Sequence, residues 1–440
     1  MPGPRGRVSR PERPRAVRRT TRWARAIAAV SAGLVLALTA APVAHADQVR
    51  DLEYWLNEYG FTQAWQTTKG AGVKVAIIDT GVDGSVPDLA GAVVGGTDAS
   101  GVGSPNGQKP VGDAESADHG TWVASLLAGR GTGPTSGVLG AAPEASILSV
   151  SVALGKSAGP IGTDDQIASA VRWAVDNGAK VINMSLTRNT LDWPTSWDDA
   201  FQYAFAHDVV VVAAAGNRGS GTSEVGAPAT IPGVLTVAGV DRQGTASFDA
   251  SSQGITIAVS APSEQLVGAS PGGGYVQWAG TSGAAPLVSG AVALVRAAHP
   301  ELSAADVIER LIATARRVPG AVPSPIYGYG LLNASAAVTA VVPHVTANPM
   351  GDLTEWIRVH RRAEATPAPV PAPGGGALAP STAKALAPER DLRLDQVLWP
   401  QWSALTTLWL PYSLITGFVA LAALGGAGAW RHFRRTGRRG

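Results

Sequence analysis

Four side chains in this 440-residue chain stand out by type and setting. Asp79 closes the apolar run in Ile77-Ile78-Asp79-Thr80-Gly81, so a carboxylate is carried to a strand end and followed by a glycine turn. His119 lies in Asp118-His119-Gly120-Thr121, ahead of the small and apolar helical run Trp122–Ala128. The positive end of a helix disfavours a second positive charge, which predicts a lowered pKa and a neutral imidazole able to act as a base near pH 7. Ser282 stands in Gly280-Thr281-Ser282-Gly283-Ala284-Ala285-Pro286 at the start of an apolar helix. Its small neighbours admit a substrate backbone, and the helix N–H groups favour a developing oxyanion. Asn217, in Ala213-Ala214-Ala215-Gly216-Asn217, offers an amide N–H as a second oxyanion donor. Each residue also has a plainer reading: a turn-starting Asp, a surface His, an N-cap Ser, a Gly-Asn turn.

The elements that must position these groups alternate. Near-continuous apolar runs at Val73–Ile78, Ile147–Val152, Val181–Met184, Val209–Ala214 and Val234–Val240 predict strands of a parallel sheet covered on both faces. Helical patterns fall between and after them. Asp164–Asp176 follows Thr163 as a candidate N-cap and stops at Asn177-Gly178, Trp197–His207 precedes a strand, and Ser282–Ala298 is an apolar helix. Ser303 and Asp306 have capping-box spacing. The expected fold is α/β, a doubly wound, mostly parallel sheet that binds ligands beyond the carboxyl ends of its strands.

Asp-Thr-Gly, His-Gly-Thr and Gly-Thr-Ser-x-x-x-Pro, in that order, with an Ala-Gly-Asn strand end between the second and third, resemble the subtilisin-like serine proteases. The spacings of about 40 and about 160 residues fit as well, and the resemblance runs from roughly Gly70 to Ala337. It implies a nucleophile at Ser282, a general base at His119, an orienting acid at Asp79 and an oxyanion donor at Asn217. It also implies that Ser185-Leu186-Thr187 pairs with an extended peptide, with Ala214, Ala215 and Gly216 as the facing wall. Trp122, Gly283 and Thr187 depart from residues common in the family, which bears on subsites and not on the chemistry. No cofactor is required by the resemblance. Asp88, in Pro87-Asp88-Leu89, matches a calcium ligand of some members, with carbonyls from the loop Gly133–Leu139 as candidate partners; one carboxylate is a weak calcium site.

The ends of the chain read as addresses. An Arg-rich stretch, the apolar Ala26–Val43 and Ala44-His45-Ala46 follow the order of a secretory signal over residues 1–46, with an uncleaved anchor as the alternative. Arg18-Arg19 leaves twin-arginine export open beside general secretion. Residues 47–342 form the expected peptidase domain and the Pro/Ala/Gly-rich 343–400 an expected stalk. Leu408–Trp430 is uncharged and long enough to cross the membrane, within a 401–430 transmembrane region, and the basic 431–440 should stay cytoplasmic. This layout places the catalytic body outside the cell on a single-pass anchor. Segment 47–69 is too short for a folded inhibitory pro-domain, which suggests control by access or by substrate rather than by pro-domain removal. The arrangement is similar to the mycosins, the membrane-bound subtilisins of type VII secretion systems, so secretion components are expected partners beside a peptide or protein substrate.

Removing the two Arg-rich ends leaves a body about eleven charges negative, which argues against nucleic-acid binding despite the overall pI of 8.9. There is no cysteine, which excludes disulfides and thiolate metal sites. No His-Glu-x-x-His occurs, and the remaining histidines have no metal spacing, so no metal residue is expected. Gly272–Gly274 reads as a loop, and Trp193 and Trp197 as core or cleft-lining residues. The functional expectation is a serine endopeptidase acting on exported or cell-surface proteins, with a structural scaffold of a secretion complex as the alternative.

Overall fold

The computed structural model describes residues 45–361 except 114–115 and 155–158. The chain divides into units 1–367 and 368–440, and everything described belongs to the first. Residues 1–44 of the expected signal 1–46, the stalk beyond Arg361, 401–430 and 431–440 lie outside the described residues.

The apolar runs do become a parallel sheet. Its strands are β1 (Lys74–Asp79), β2 (Val93–Asp98), β3 (Ser146–Ser151), β4 (Val181–Met184), β5 (Val210–Ala214), β6 (Leu235–Val240) and β7 (Ile257–Pro262), in the order β2-β3-β1-β4-β5-β6-β7. All six pairings are parallel. Alternate residues sort onto two faces, as a period of two requires. Val75, Ile77, Val181, Val210 and Val212 join one apolar cluster, while Ala76, Ile78, Ile182, Met184, Val211 and Ala213 join the other.

The first face is covered by α4 (His119–Ala128), α7 (Thr281–Ala298) and α8 (Ala304–Ala313); the second by α5 (Thr163–Asp176) and α6 (Thr195–Ala206). Short helices α1 (His45–Leu52), α2 (Tyr54–Glu58) and α3 (Phe61–Ala64) precede the sheet and bury Trp55 and Phe61 in the first cluster. The Ser303–Asp306 capping box forms as expected. Thr163 does not cap α5; it is the first helical residue, after Gly162. Among the described residues α7 alone is apolar and long enough to cross a membrane, but 83% of it is buried inside the body, which makes it a core helix.

Four strands escape the sequence pattern. β2 carries Gly95-Gly96 and is only half buried, β7 follows a loop, and β8 (Leu266–Ala269) pairs antiparallel with β9 (Tyr275–Trp278) as a hairpin outside the main sheet. The folded body also extends beyond Val342, into residues expected to begin the stalk. The short α9 (Ala334–Thr339) is followed by a strap that ends in α10 (Leu353–His360). Leu353 is buried, Trp356 packs on Trp193 with ring centroids 4.4 Å apart, and Arg361 pairs with Asp198 at 2.6 Å.

Candidate active site

The sheet order reverses at β1, whose neighbours β3 and β4 lead away in opposite directions. Such switch points open a crevice at the strand ends. Asp79 is the last residue of β1, and Ser185 and Asn217 lie just past β4 and β5, so three expected site residues are delivered there by adjacent strands.

Asp79 is 3% exposed. Its Oδ1 accepts from the Thr80 N–H at 2.7 Å and lies 2.8 Å from His119 Nδ1; Oδ2 lies 3.1 Å from the same nitrogen. A carboxylate can only accept, so Nδ1 carries the proton and Nε2 is left as the basic nitrogen. Thr80 ties the two elements together. Its hydroxyl donates to the Ala117 carbonyl at 2.7 Å and accepts the Gly120 N–H at 2.9 Å. Helix α4 can approach this closely because residue 120 is glycine: a Cβ there would stand 2.3 Å from the Gly81 carbonyl oxygen.

The expectation of a lowered imidazole pKa is corrected. Burial pulls His119 down, but the Asp79 carboxylate, by its charge and its hydrogen bond, more than offsets that and holds the pKa above the ordinary value. The helix-end argument left out a charge contributed from 40 residues away in sequence. The ring is also walled by indoles, with Trp278 at 5.6 Å and Trp122 at 6.3 Å between centroids. Trp122 is anchored by its N–H to Ser270 Oγ at 3.0 Å.

Ser282 is the second residue of α7, not its N-cap; that position is Gly280, at φ +147°. Pro286 lies inside the helix and has no N–H, so the Ser282 carbonyl four residues earlier loses its helical donor. The Ser185 hydroxyl replaces it at 2.7 Å. Ser185 Oγ in turn accepts from Asn183 Nδ2 at 3.0 Å, and Asn183 Oδ1 accepts from Ser289 Oγ at 2.9 Å. This buried chain fixes the start of α7 to the end of β4. The Ser282 hydroxyl itself donates to the Ser185 carbonyl at 3.1 Å and makes no hydrogen bond to His119. Gly283 is needed where it stands, since a Cβ would meet Leu266 Cδ1 at 2.2 Å.

Asn217 Oδ1 accepts the Thr281 N–H at 2.8 Å and the Thr281 hydroxyl at 2.9 Å. The N–H can only donate, so the amide oxygen is fixed on that side and the NH2 is left without a partner among the described residues. The Ser282 N–H is likewise unpaired there. Two donors are thus free beside the Ser282 hydroxyl. Leu186 and Thr187 leave β4 with their own backbone groups unpaired among the described residues, while the Gly216 N–H and carbonyl are spent on Thr281 Oγ1 and the Ser252 N–H. The first stretch is an open edge. The expected facing wall Ala214, Ala215 and Gly216 thus has the backbone groups of Gly216 already engaged.

Trp193 and Trp197 are core residues, bonded through their indole N–H groups to Asp198 and to the Asp164 carbonyl. Asp88, the single carboxylate of the expected calcium position, is already engaged by the fold. It is buried, its Oδ1 accepts the Val138 N–H at 2.6 Å, and burial raises its pKa against that bond. No group of three or more His, Cys, Asp or Glu able to hold a metal occurs among the described residues. Sequence reasoning missed Thr80, Asn183 and Trp278; Pro286, a helix breaker within an apolar helix, was the visible signal that the Ser282 carbonyl needed an outside donor.

The model of the subtilase family matches residues 70–330. Subtilisin DY of Bacillus licheniformis is 41% identical over 275 residues, covering 62% of this chain and 93% of that protein. The crystal structure of MycP1 from Mycobacterium smegmatis is similar at a TM-score of 0.56 and 30% identity, covering 66% of this chain and 85% of that one. MycP3, a protease from the type VII (ESX-3) secretion system, matches at 0.56 and 32%, covering 66% and 88%. With the family model spanning more than half of its length, the chain belongs to the subtilase family and is a subtilisin-like serine protease.

Proposed function

We propose that this protease is an endopeptidase of exported or cell-surface proteins that works through an acyl-enzyme. Ser282 Oγ attacks the scissile carbonyl while His119 Nε2 takes its proton, later passing it to the leaving amine. Asp79 holds the ring in the tautomer that leaves Nε2 free and stabilises the cation that forms. The Asn217 amide and the Ser282 N–H receive the oxyanion. Water then enters and, deprotonated by His119, hydrolyses the ester. The observation that carries this reading is the 2.8 Å contact between the buried Asp79 carboxylate and His119 Nδ1.

The resting hydroxyl fits the same scheme. A peptide that pairs with Ser185–Thr187 presents its N–H to the Ser185 carbonyl, the acceptor that Ser282 Oγ now uses. Binding of substrate would then release the hydroxyl toward His119. The same contact favours a second reading, a structural member of a secretion complex whose nucleophile is idle until a partner aligns it. In both readings residues 1–46 direct export, 401–430 anchor the chain and 431–440 face the cytoplasm, in association with type VII secretion components.

Treating the detergent-solubilised full chain with a fluorophosphonate probe separates the two. Labelling of the wild type and not of Ser282→Ala supports the protease reading; loss of the nucleophile costs subtilisin about 10⁶-fold in turnover. A folded but unlabelled wild type moves the weight to the scaffold. Truncation after Arg361 should release the protein from membranes, and retention would refute the anchor.

A further inference from the structure

The loop 130–139 folds back on itself, with Gly131 N–H to the Val138 carbonyl at 2.9 Å and Thr132 N–H to the Ser136 carbonyl at 2.8 Å. Behind it lie two buried carboxyls, Asp88 and Glu53, each 3% exposed. Asp88 Oδ1 takes the Val138 N–H at 2.6 Å, and Glu53 Oε1 takes the Leu139 N–H at 2.6 Å. These are acidic groups and loop carbonyls of the kind that hold a hard cation.

A cation is already present, and it is covalent. Arg50, in the last turn of α1, points its guanidinium into this site. Nη1 donates to Glu53 Oε2 at 3.2 Å and Nη2 to the Ser136 carbonyl at 3.0 Å. Its charge also lowers the pKa of both Glu53 and Asp88, against the larger effect of burial. The side chain is only 17% exposed, and a Cβ on Gly131 would lie 2.4 Å from Nη2, so the loop backbone closes tightly over it. The segment that carries Arg50 is well anchored: Trp55 and Phe61 are fully buried, and the Tyr54 hydroxyl donates to the Glu264 carbonyl at 2.9 Å. None of its hydrogen bonds reaches Asp79, His119, Ser282 or Ser185–Thr187.

We propose that Arg50 is the built-in cation of the 130–139 loop, so that the N-terminal segment, retained in the mature protein, does the structural work that a bound calcium ion would otherwise do at Asp88. Arg50 lies four residues beyond the expected cleavage site at Ala46 and survives it. The segment is then a permanent part of the fold, and the loop needs no metal.

The test uses the full chain, with thermal unfolding followed in EDTA and in millimolar calcium, and hydrogen exchange read at Val138 and Leu139. The wild-type melting temperature should be the same in both solutions, with both amides protected in both. Arg50→Ala removes the donors to Glu53 Oε2 and to the Ser136 carbonyl, so its melting temperature should fall by roughly 5–15 °C and the two amides should lose protection. Arg50→Lys, which keeps the charge without the fork, should fall between and serves if the alanine variant does not fold. A wild type stabilised by calcium and weakened by EDTA would overturn the proposal. So would an Arg50→Ala or Arg50→Lys protein with unchanged melting and exchange.

Discussion

Asp79 and Glu53 are buried to the same 3% and sit in regions that treat a carboxyl in opposite ways. Glu53 faces a permanent cation and a backbone N–H, and burial still drives its pKa up to about 8. Asp79 faces a partner that can itself gain and lose a proton, and its charge and hydrogen bond raise the pKa of His119. Around Glu53 the donors are committed to holding a loop. Around Ser282 two donors are left free, the hydroxyl is held by one bond to a carbonyl, and the imidazole keeps one nitrogen unprotonated. The lesson is that burial alone does not mark a reactive site; what marks it is buried polarity with capacity left over.

The sharpest way to break this contrast is to remove that spare capacity. Asn217→Ala should lower kcat by roughly 10²–10³-fold with little change in KM, because its amide N–H serves the transition state and not the ground state. Asn217→Asp tests the same donor, since it retains an oxygen for the Thr281 N–H. If either variant turns over peptide at the wild-type rate, the free amide is not an oxyanion donor and the contrast fails.

A smaller effect comes from the close approach at Gly120. In an ordinary helix Gly→Ala stabilises by about 1 kcal/mol. Here the new methyl meets the Gly81 carbonyl at 2.3 Å, and overpacking of this kind costs about 1–3 kcal/mol. Gly120→Ala should therefore lower the melting temperature and slow fluorophosphonate labelling together, since the clash moves His119 off Asp79. A rise in melting temperature would mean that helix propensity wins and that the contact is soft.

What could be read from the sequence was what is local. Asp79, His119, Asn217 and Ser282 stand in short motifs, and five strands announce themselves because both of their faces are largely buried and their apolar runs are nearly continuous. β2 stayed hidden because Gly95-Gly96 interrupts its apolar run and its faces are half exposed. The sign of the His119 shift was misread because it depends on a partner 40 residues away. The strap 343–361 was read as a stalk from its prolines, although Leu353, Trp356 and Ile357 carry the helical spacing that sets them against α6. Arg50 gave no signal, since a lone basic residue in a short helix becomes a loop cation only when Ser136 is brought to it.

The last prediction separates the two carboxyl regions by pH. His119 must lose a proton to act as a base, and its pKa lies above the ordinary 6.5, so labelling should rise with pH through an inflection above that value. The same raised pKa contributes stability that is complete below about 6.5 and lost as pH rises through the folded value. Glu53, raised from 4.5 to about 8, adds stability that is complete below 4.5 and lost as pH rises through about 8. Arg50 and Asp88 are the charged groups that face it, with opposite signs. Glu53→Gln should remove the Glu53 share of that loss, so its melting temperature should fall less than the wild type's between pH 6 and pH 9, while the labelling inflection stays where it was. If Glu53→Gln moves the inflection, the two regions are coupled through α4 and β8. If the melting temperatures stay parallel, the Glu53 carboxyl is already ionised at neutral pH and its pairing with Arg50 outweighs the burial that opposes it.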